Sequence, residues 1–248
     1  TLYADYFNIS GTHNNGIASS VTGNSNFIVK GADIDVNGSS NNGIIVAGGG
    51  ISLNHDPYNP VASGGGAWRW NTIKVNGSNN NGLYVANGTS DIYATNITVV
   101  GGVDIVENNK TITTYNNGIL VGSEYGESAS VDIGASSVDA KKTNGKGAGI
   151  YLYAGDINFN TPNNGQTVNI SGDSSDTLLV VDAGGGKYAA GTAPSPNTAS
   201  NTITFNNNSA YANIAGTRFN TTGDSNTGIL IKGGHAVYTY NPSTEGSN

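Results

Sequence analysis

Cysteine and methionine are both absent from the 248-residue sequence, and charged residues make up only 11% of it. Without cysteine there is neither a disulfide framework nor thiol chemistry. The same absence suits a chain that is exported unfolded, because no premature disulfide can form. Glutamate, a good helix former, occurs at only four positions, and we therefore expect no helix. These positions are Glu107, Glu124, Glu127 and Glu245.

Positive charge is also scarce. Arg69 and Arg218 are the only arginines, and the formal net charge is −7. Because a nucleic-acid-binding protein needs a basic patch, we expect no nucleic-acid partner. No hydrophobic run approaches the roughly 20 residues of a membrane-spanning helix, and no signal peptide precedes the strand-like residues 2–4. We therefore expect an excised fragment that does not itself span a membrane.

A short repeated motif is the most prominent feature that the sequence does have. Its clearest copy is Asn-Asn-Gly-Leu-Tyr-Val at residues 80–85. Near copies begin at residues 14, 41 and 116, and looser copies occupy residues 148–152, 176–180 and 227–231. The motif stays constant while the connecting lengths vary, as in stacked-repeat proteins whose insertions lie on the outside. Because the repeat runs from end to end, residues 1–248 are predicted to form one continuous domain.

Each repeat predicts a strand, a glycine bend, an asparagine corner and a second strand. Asparagine and glycine tolerate left-handed backbone angles, and an Asn-Gly pair ordinarily favours a tight hairpin. Here the upstream strand, for example residues 73–75, ends too many residues before the turn. Corners in place of hairpins predict a parallel β-helix, in which equivalent strands pair about 4.8 Å apart and equivalent asparagines stack as amide ladders. An antiparallel sandwich of short strands is the alternative.

Three stretches interrupt the repeat. Residues 51–69 contain two prolines and a glycine triplet, and residues 184–201 contain Pro194 and Pro196. Both compositions predict long surface loops, and residues 103–113 predict a smaller insertion. The predicted fold is therefore all-β, a single parallel β-helix with loop excursions near 51–69 and 184–201.

Alternation along the second strand of each repeat separates inward-facing from outward-facing side chains. The pairs predicted to point inward are Ile44 and Val46, Leu83 and Val85, Ile119 and Val121, Ile150 and Leu152, Leu178 and Val180, and Ile229 and Ile231. The residues between them, predicted to face outward, are Ile45, Tyr84, Leu120, Tyr151, Leu179 and Leu230. None of these is charged, although a solvated sheet face favours polar residues. Stacking would unite them in one stripe, which indicates either a partner-binding surface or a surface covered by a long loop.

The excursion at 51–69 leads into the only tryptophan cluster, Trp68-Arg69-Trp70, and it also contains Tyr58. Aromatic faces beside an arginine stack on sugar rings or anchor a protein partner. Tyr58, Trp68 and Arg69 are therefore candidate ligand-binding or partner-binding residues. Trp70 also fits a packing role at the start of the strand that follows it.

No pattern in the sequence predicts catalysis. The three histidines lack the spacing of metal ligands, and no Gly-x-Ser-x-Gly nucleophile motif occurs. Asp104 with Glu107, and Asp173 with Asp176, are close in sequence but have no arginine nearby to assist polysaccharide cleavage. We therefore expect no catalytic residue, no metal and no cofactor.

The repeat, the asparagine corners, the absence of cysteine and the acidity together resemble bacterial autotransporter passenger domains. These are surface adhesins, related in style to the two-partner-secreted haemagglutinins. The resemblance covers the whole chain and concerns architecture and repeat style, not a diagnostic motif. It implies a right-handed parallel β-helix that is exported across the outer membrane to the cell surface. It also implies a role in adhesion, auto-aggregation or biofilm formation.

Three functions remain open from the sequence. The first is a non-catalytic adhesin that binds itself, a host surface protein or a host glycan. The second is a polysaccharide-binding or polysaccharide-cleaving β-helix enzyme, which would release reducing ends from a polysaccharide. The third is a structural stalk, which would show neither cell clumping nor cleavage.

Overall fold

The computed structural model describes residues 2–3, 6–20, 26–54, 70–123, 129–159, 168–172, 174–182, 210–215, 217–232 and 235–239. The regular structure within these residues is entirely β, with 24 strands numbered here in chain order. Twenty-two of the strands belong to three sheets in rotation, and the other two form a hairpin. The all-β fold predicted from the sequence is therefore confirmed for the described residues.

Every third strand, apart from the hairpin, belongs to the same sheet. Sheet 1 contains β1 (Leu2–Tyr3), β4 (Asn26–Lys30), β7 (Gly50–Leu53), β10 (Gly88–Tyr93), β15 (Ala129–Gly134), β18 (Gly155–Phe159), β21 (Ala210–Ala215) and β24 (His235–Thr239). Sheet 2 contains β2 (Tyr6–Ile9), β5 (Asp33–Val36), β8 (Asn71–Val75), β11 (Thr95–Val100), β16 (Ser137–Lys141), β19 (Val168–Gly172) and β22 (Thr217–Thr221). Sheet 3 contains β3 (Asn15–Ser20), β6 (Asn42–Gly48), β9 (Asn81–Val85), β14 (Asn116–Val121), β17 (Gly147–Leu152), β20 (Thr177–Val181) and β23 (Thr227–Ile231).

All pairings within the three sheets are parallel, for example β6 with β9 and β9 with β14. Antiparallel pairing among the described strands is confined to a hairpin of β12 (Ile105–Glu107) and β13 (Lys110–Ile112). This hairpin lies within the insertion that was predicted at residues 103–113. The antiparallel sandwich is therefore the wrong alternative for the described strands.

The core lies between the three sheets and consists of aligned branched side chains. The four predicted pairs from Ile44 and Val46 to Ile150 and Leu152 are fully buried, which confirms their inward orientation. Ile229 and Ile231 keep the register but are partly exposed, because β23 is the last described strand of sheet 3.

The glycine of the repeat has a different role from the one the sequence suggested. Left-handed backbone occurs earlier in the corner, at Gly38 (φ 86°) and Gly77 (φ 88°), whereas Gly82 lies within β9 without a positive φ. A Cβ atom on Gly82 would lie 2.7 Å from the Gly118 carbonyl oxygen and 2.8 Å from Ile73 Cγ2. Glycine is therefore required here by the close approach of sheet 3 to the side chains of sheet 2.

The prediction of which β20 side chains point inward was wrong, because the strand is shifted by one residue relative to the repeat. Leu179 pairs with Ile150, and Val180 pairs with Tyr151. Leu179 and Val181 therefore point inward, where both are fully buried, and Val180 takes the outward position in register with Tyr151, although only 3% of it is exposed. Leu179 is consequently not a surface residue.

Compensating side-chain volumes explain this shift. Leu178 occupies the position that glycine has in the preceding strands, since a Cβ on Gly149 would approach the Leu178 carbonyl oxygen at 2.8 Å. Space for the leucine comes from Gly172 in sheet 2, which pairs with Ala140 in a column of larger residues. A Cβ on Gly172 would lie only 2.7 Å from Leu178 Cδ2.

The first predicted loop begins too early in the chain. Residues Ile51–Leu53 belong to β7, in register with β4 and β10, and both Ile51 and Leu53 are buried. Their alternation with Ser52 continues the pattern of sheet 1, which outweighs the prolines that follow. Residues 55–69 and 184–201 lie outside the described residues.

The predicted asparagine ladder is confirmed, and one ladder is formed by buried corner residues. Asn41 Oδ1 accepts a hydrogen bond from the Asn14 backbone N–H at 2.7 Å, and Asn80 Oδ1 accepts from the Asn41 N–H at 2.7 Å. Asn116 Oδ1 accepts from the Asn80 N–H at 2.8 Å. These side-chain acceptors satisfy corner N–H groups that would otherwise be buried without a partner.

A second ladder, called here the outer amide ladder, consists of Asn15, Asn42, Asn81 and Asn117. The side-chain Nδ2 of each asparagine donates to the Oδ1 of the preceding one, at 2.9, 3.0 and 3.0 Å. The ladder ends at Asn117 because the next residue in register is Ala148, which has no amide side chain.

Candidate binding groove

Six uncharged side chains form a continuous outward file across sheet 3. Strand pairing aligns them in the order Ile45, Tyr84, Leu120, Tyr151, Val180 and Leu230. Five of these are the residues predicted from the sequence, and Val180 stands where Leu179 was expected. Because equivalent strands in a sheet are about 4.8 Å apart, neighbouring side chains of this file are within contact distance of each other.

The last four residues of the outward file lie in a groove of about 500 Å³. Tyr115 and Tyr153 add two further aromatic side chains to its lining. The polar residues Asn117, Thr177 and Lys232 also line it. The volume lies within the range of about 300–1,000 Å³ that is typical of small-molecule sites.

One side of the groove contains an ion pair hydrogen-bonded to a tyrosine. Asp182 follows β20, and its buried Oδ2 accepts a hydrogen bond from the Tyr151 hydroxyl. Lys232 Nζ lies 3.9 Å from the same oxygen and 5.9 Å from the centroid of the Tyr151 ring. Burial, together with this hydrogen bond, raises the pKa of Tyr151 above its usual value. The phenol therefore stays protonated, and the carboxylate offsets the charge of Lys232.

The insertion at residues 103–113 positions Tyr115 at the rim. Tyr115 donates its backbone N–H to Asn79 Oδ1 at 3.0 Å. The base of the insertion is fixed by an ion pair of 2.7 Å between Lys146 Nζ and Asp104 Oδ2 and by a hydrogen bond of 2.8 Å from Thr114 Oγ1 to the Val103 carbonyl. The tyrosine is thus supported on both sides, although its own side chain is half exposed.

Asn117 contributes an unsatisfied acceptor to the groove. Its side chain donates to Asn81 as the last member of the outer amide ladder. Its Oδ1 has no hydrogen-bond partner among the described residues, although the residue is only 8% exposed. A buried carbonyl oxygen without a donor costs free energy on the order of 1–3 kcal/mol, and a bound donor group would recover this cost.

Comparison with protein-family models, curated proteins and solved structures finds no match for the chain.

The structure brings together only some of the residues predicted to bind a partner. Leu120, Tyr151 and Leu230 line the groove, whereas Ile45 and Tyr84 lie farther along the same file. Tyr58, Trp68 and Arg69 are outside the described residues, and the neighbouring Trp70 is exposed just before β8.

Sequence reasoning missed the other residues of the groove, which are Tyr115, Asn117, Gly145, Gly147, Tyr153, Thr177, Val180 and Lys232. The uncharged file was visible from the repeat, but apart from Val180 these residues lie at or beside strand ends. A signal existed for Asn117, because the sequence shows where the run of Asn-Asn-Gly motifs stops.

The acidic pairs considered for catalysis have other roles where they are described. Asp104 is paired with Lys146, and Glu107 lies in the exposed strand β12. Asp176 is buried, and its Oδ1 accepts a hydrogen bond of 2.7 Å from the Thr143 N–H, as the corner asparagines do. Asp173 is outside the described residues.

Two kinds of feature are absent from the described residues. No group of three histidine or acidic side chains is placed to hold a metal ion. Nor does this part of the chain contain a helix with the length and apolarity needed to cross a membrane.

Proposed function

We propose that the chain is a non-catalytic adhesin of the autotransporter-passenger type, displayed on a bacterial cell surface as a right-handed parallel β-helix. It attaches cells to each other or to a host surface protein or glycan through the outward file of sheet 3. The observation that carries this proposal is the file itself. Six uncharged side chains in register on an outward sheet face are typical of a contact surface.

The strand order supports the β-helical part of the proposal. Consecutive strands rotate through three parallel sheets, and the connection between parallel strands is right-handed in about 98% of cases. The absence of cysteine is compatible with export of an unfolded chain. Asparagine ladders at successive corners hold equivalent turns in register.

Cell clumping tests the contact surface. Cells displaying the chain are compared with cells displaying Tyr84→Ser, Leu120→Ser or Tyr151→Ser variants. Each substitution removes a large uncharged side chain from the file and leaves the inward-facing residues unchanged, although Tyr151→Ser also removes the hydrogen bond to Asp182. We therefore expect normal surface display and loss of clumping or surface attachment, and the Tyr84→Ser and Leu120→Ser variants test this without altering that hydrogen bond. Tyr6→Ser is the matched control, because it removes an exposed tyrosine from sheet 2. Normal clumping by all three file variants would contradict the proposal.

A polysaccharide-cleaving enzyme remains the competing function. Release of reducing ends from a panel of polysaccharides by the purified chain would contradict the non-catalytic assignment. A stalk without a binding role would give neither clumping nor cleavage.

A further inference from the structure

We infer that the groove at the end of the outward file binds an uncharged sugar of a glycan, with Asn117 Oδ1 as the acceptor for a sugar hydroxyl. This inference rests on the proposed adhesin function and gives one part of the contact surface its ligand class. It depends on three observations, which are the open end of the outer amide ladder, the charge balance of the groove and its aromatic walls.

The end of the ladder determines what the ligand must supply. Every other Oδ1 of the outer amide ladder accepts a hydrogen bond from the next asparagine, whereas Ala148, which has no amide, leaves the Oδ1 of Asn117 without a donor within the part of the chain that the structure describes. This oxygen is shielded from bulk water. A ligand held in the groove can supply the missing donor after the kind of side-chain adjustment that is common at interfaces. The ligand must therefore present an O–H or N–H group at this position.

The charged residues at the groove favour a ligand whose hydrogen-bond donor is uncharged. An anionic group, such as a carboxylate or phosphate, is an acceptor and would face the Asn117 carbonyl oxygen without a hydrogen bond. An ammonium group would meet Lys232, which lines the groove. Lys232 is itself offset by Asp182, so the net field at the groove is weak. A hydroxyl group satisfies both conditions.

The aromatic and aliphatic residues that line the groove indicate what other groups the ligand carries. Tyr115, Tyr151 and Tyr153 contribute aromatic rings to the lining, and Leu120 and Leu230 contribute aliphatic side chains. Aromatic residues combine an apolar face with a polar edge. A ligand with apolar C–H faces and several neutral hydroxyl groups matches this surface, and pyranose sugars have that combination. The groove volume of about 500 Å³ leaves room for more than one sugar ring.

A glycan array provides the first test. The full chain is applied to neutral oligosaccharides of glucose, galactose, mannose and N-acetylglucosamine, together with their sialylated and sulfated counterparts. We expect binding to a neutral glycan that changes less than about twofold between low and high salt, because no ion pair is formed. Binding restricted to anionic glycans, or to none of the array, would overturn the inference.

Calorimetric titration with the strongest neutral glycan provides the second test. We expect Asn117→Ala and Tyr153→Ser each to weaken binding at least about tenfold, the effect of losing one good contact. Asn15→Ala is the matched control, because it breaks one bond at the opposite end of the same ladder. Equal affinity of the Asn117→Ala, Tyr153→Ser and Asn15→Ala variants would also overturn the inference, and urea unfolding midpoints verify that all three variants fold.

Tyr84→Ser separates this inference from the proposed function. Tyr84 belongs to the outward file but does not line the groove, so its loss should reduce clumping and leave glycan affinity unchanged. If the file variants abolish clumping while no glycan binds, the adhesin proposal stands and the groove inference fails. If glycan binding is confirmed while clumping is normal in every file variant, the groove is a glycan site and the file is not the contact surface.

Discussion

Leu178 occupies space that Gly172 leaves empty, and this packing predicts how much stability is lost when either residue is changed. A Cβ added by Gly172→Ala would lie 2.7 Å from Leu178 Cδ2 and 2.9 Å from Asp176 Cβ. Leu178 and Asp176 are both buried, so neither can turn into solvent to relieve the overlap. Overpacking of this kind costs about 1–3 kcal/mol, and we expect the free energy of unfolding to fall by that amount.

The double variant Gly172→Ala with Leu178→Ala tests whether the side chains at these two positions compete for the same space. Leu178→Ala alone should cost about 2–5 kcal/mol, because it leaves a cavity between sheets 2 and 3. In the double variant Leu178 Cδ2 is gone, so the new methyl group at residue 172 fills part of that cavity. The combined loss should therefore be smaller than the sum of the single losses by about 1 kcal/mol or more.

Urea unfolding followed by far-ultraviolet circular dichroism measures all four proteins of this cycle. The comparison depends on differences between midpoints at an unchanged slope. Single-variant losses that add to within about 0.5 kcal/mol would refute the reasoning. In that case the one-residue shift of β20 relative to the repeat would need a cause other than the missing side chain of Gly172.

Two further predictions concern the repeat glycine and a buried carboxylate. Gly82→Ala should destabilise the chain by about 1–3 kcal/mol, because the new methyl group meets the Gly118 carbonyl oxygen. The methyl group of Gly228→Ala meets no described atom within 4 Å, so this variant should be neutral in the same urea assay. A larger loss from Gly228→Ala than from Gly82→Ala would contradict the close-packing explanation. Burial and, to a lesser extent, the nearby Asp132 raise the pKa of Asp156 from 3.8 to about 6. The contribution of Asp156 to stability is therefore present at low pH, and it is lost as the pH rises from about 4 to above 6. Asp156→Asn should therefore stabilise the chain at pH 7 by on the order of 1 kcal/mol after allowance for solvent screening, with a smaller gain at pH 4, and an equal gain at both pH values would contradict the assigned ionisation.

The periodicity of the sequence made most of the architecture predictable. The motif at residues 80–85 and its near copies correctly predicted parallel strands, aligned core pairs and asparagine ladders. They did so because a parallel stack repeats the same local environment at each equivalent position, so identical residues recur wherever that environment recurs. The insertion at residues 103–113 was detectable for the complementary reason, since it interrupts the repeat.

The same reasoning failed where the repeat became degenerate. In residues 176–181 several apolar residues follow one another, and alternation alone does not decide which of Leu178 and Leu179 is equivalent to a core residue. Gly172, in another strand, decides this by leaving space for Leu178. That information is non-local, because the strands of different sheets are brought together only in the folded chain.

The sequence by itself determined the strand content, the direction of strand pairing, the corner ladders and five members of the outward file. Only the tertiary structure determined the register of β20 and the existence of the groove. Its lining comes from several strands and from residues that directly precede or follow them. Two of these residues, Tyr115 and Lys232, are more than 100 residues apart in the chain. The physical reason is that a repeat specifies the packing of equivalent positions, whereas a binding groove forms where equivalence ends, as at Asn117 and Ala148.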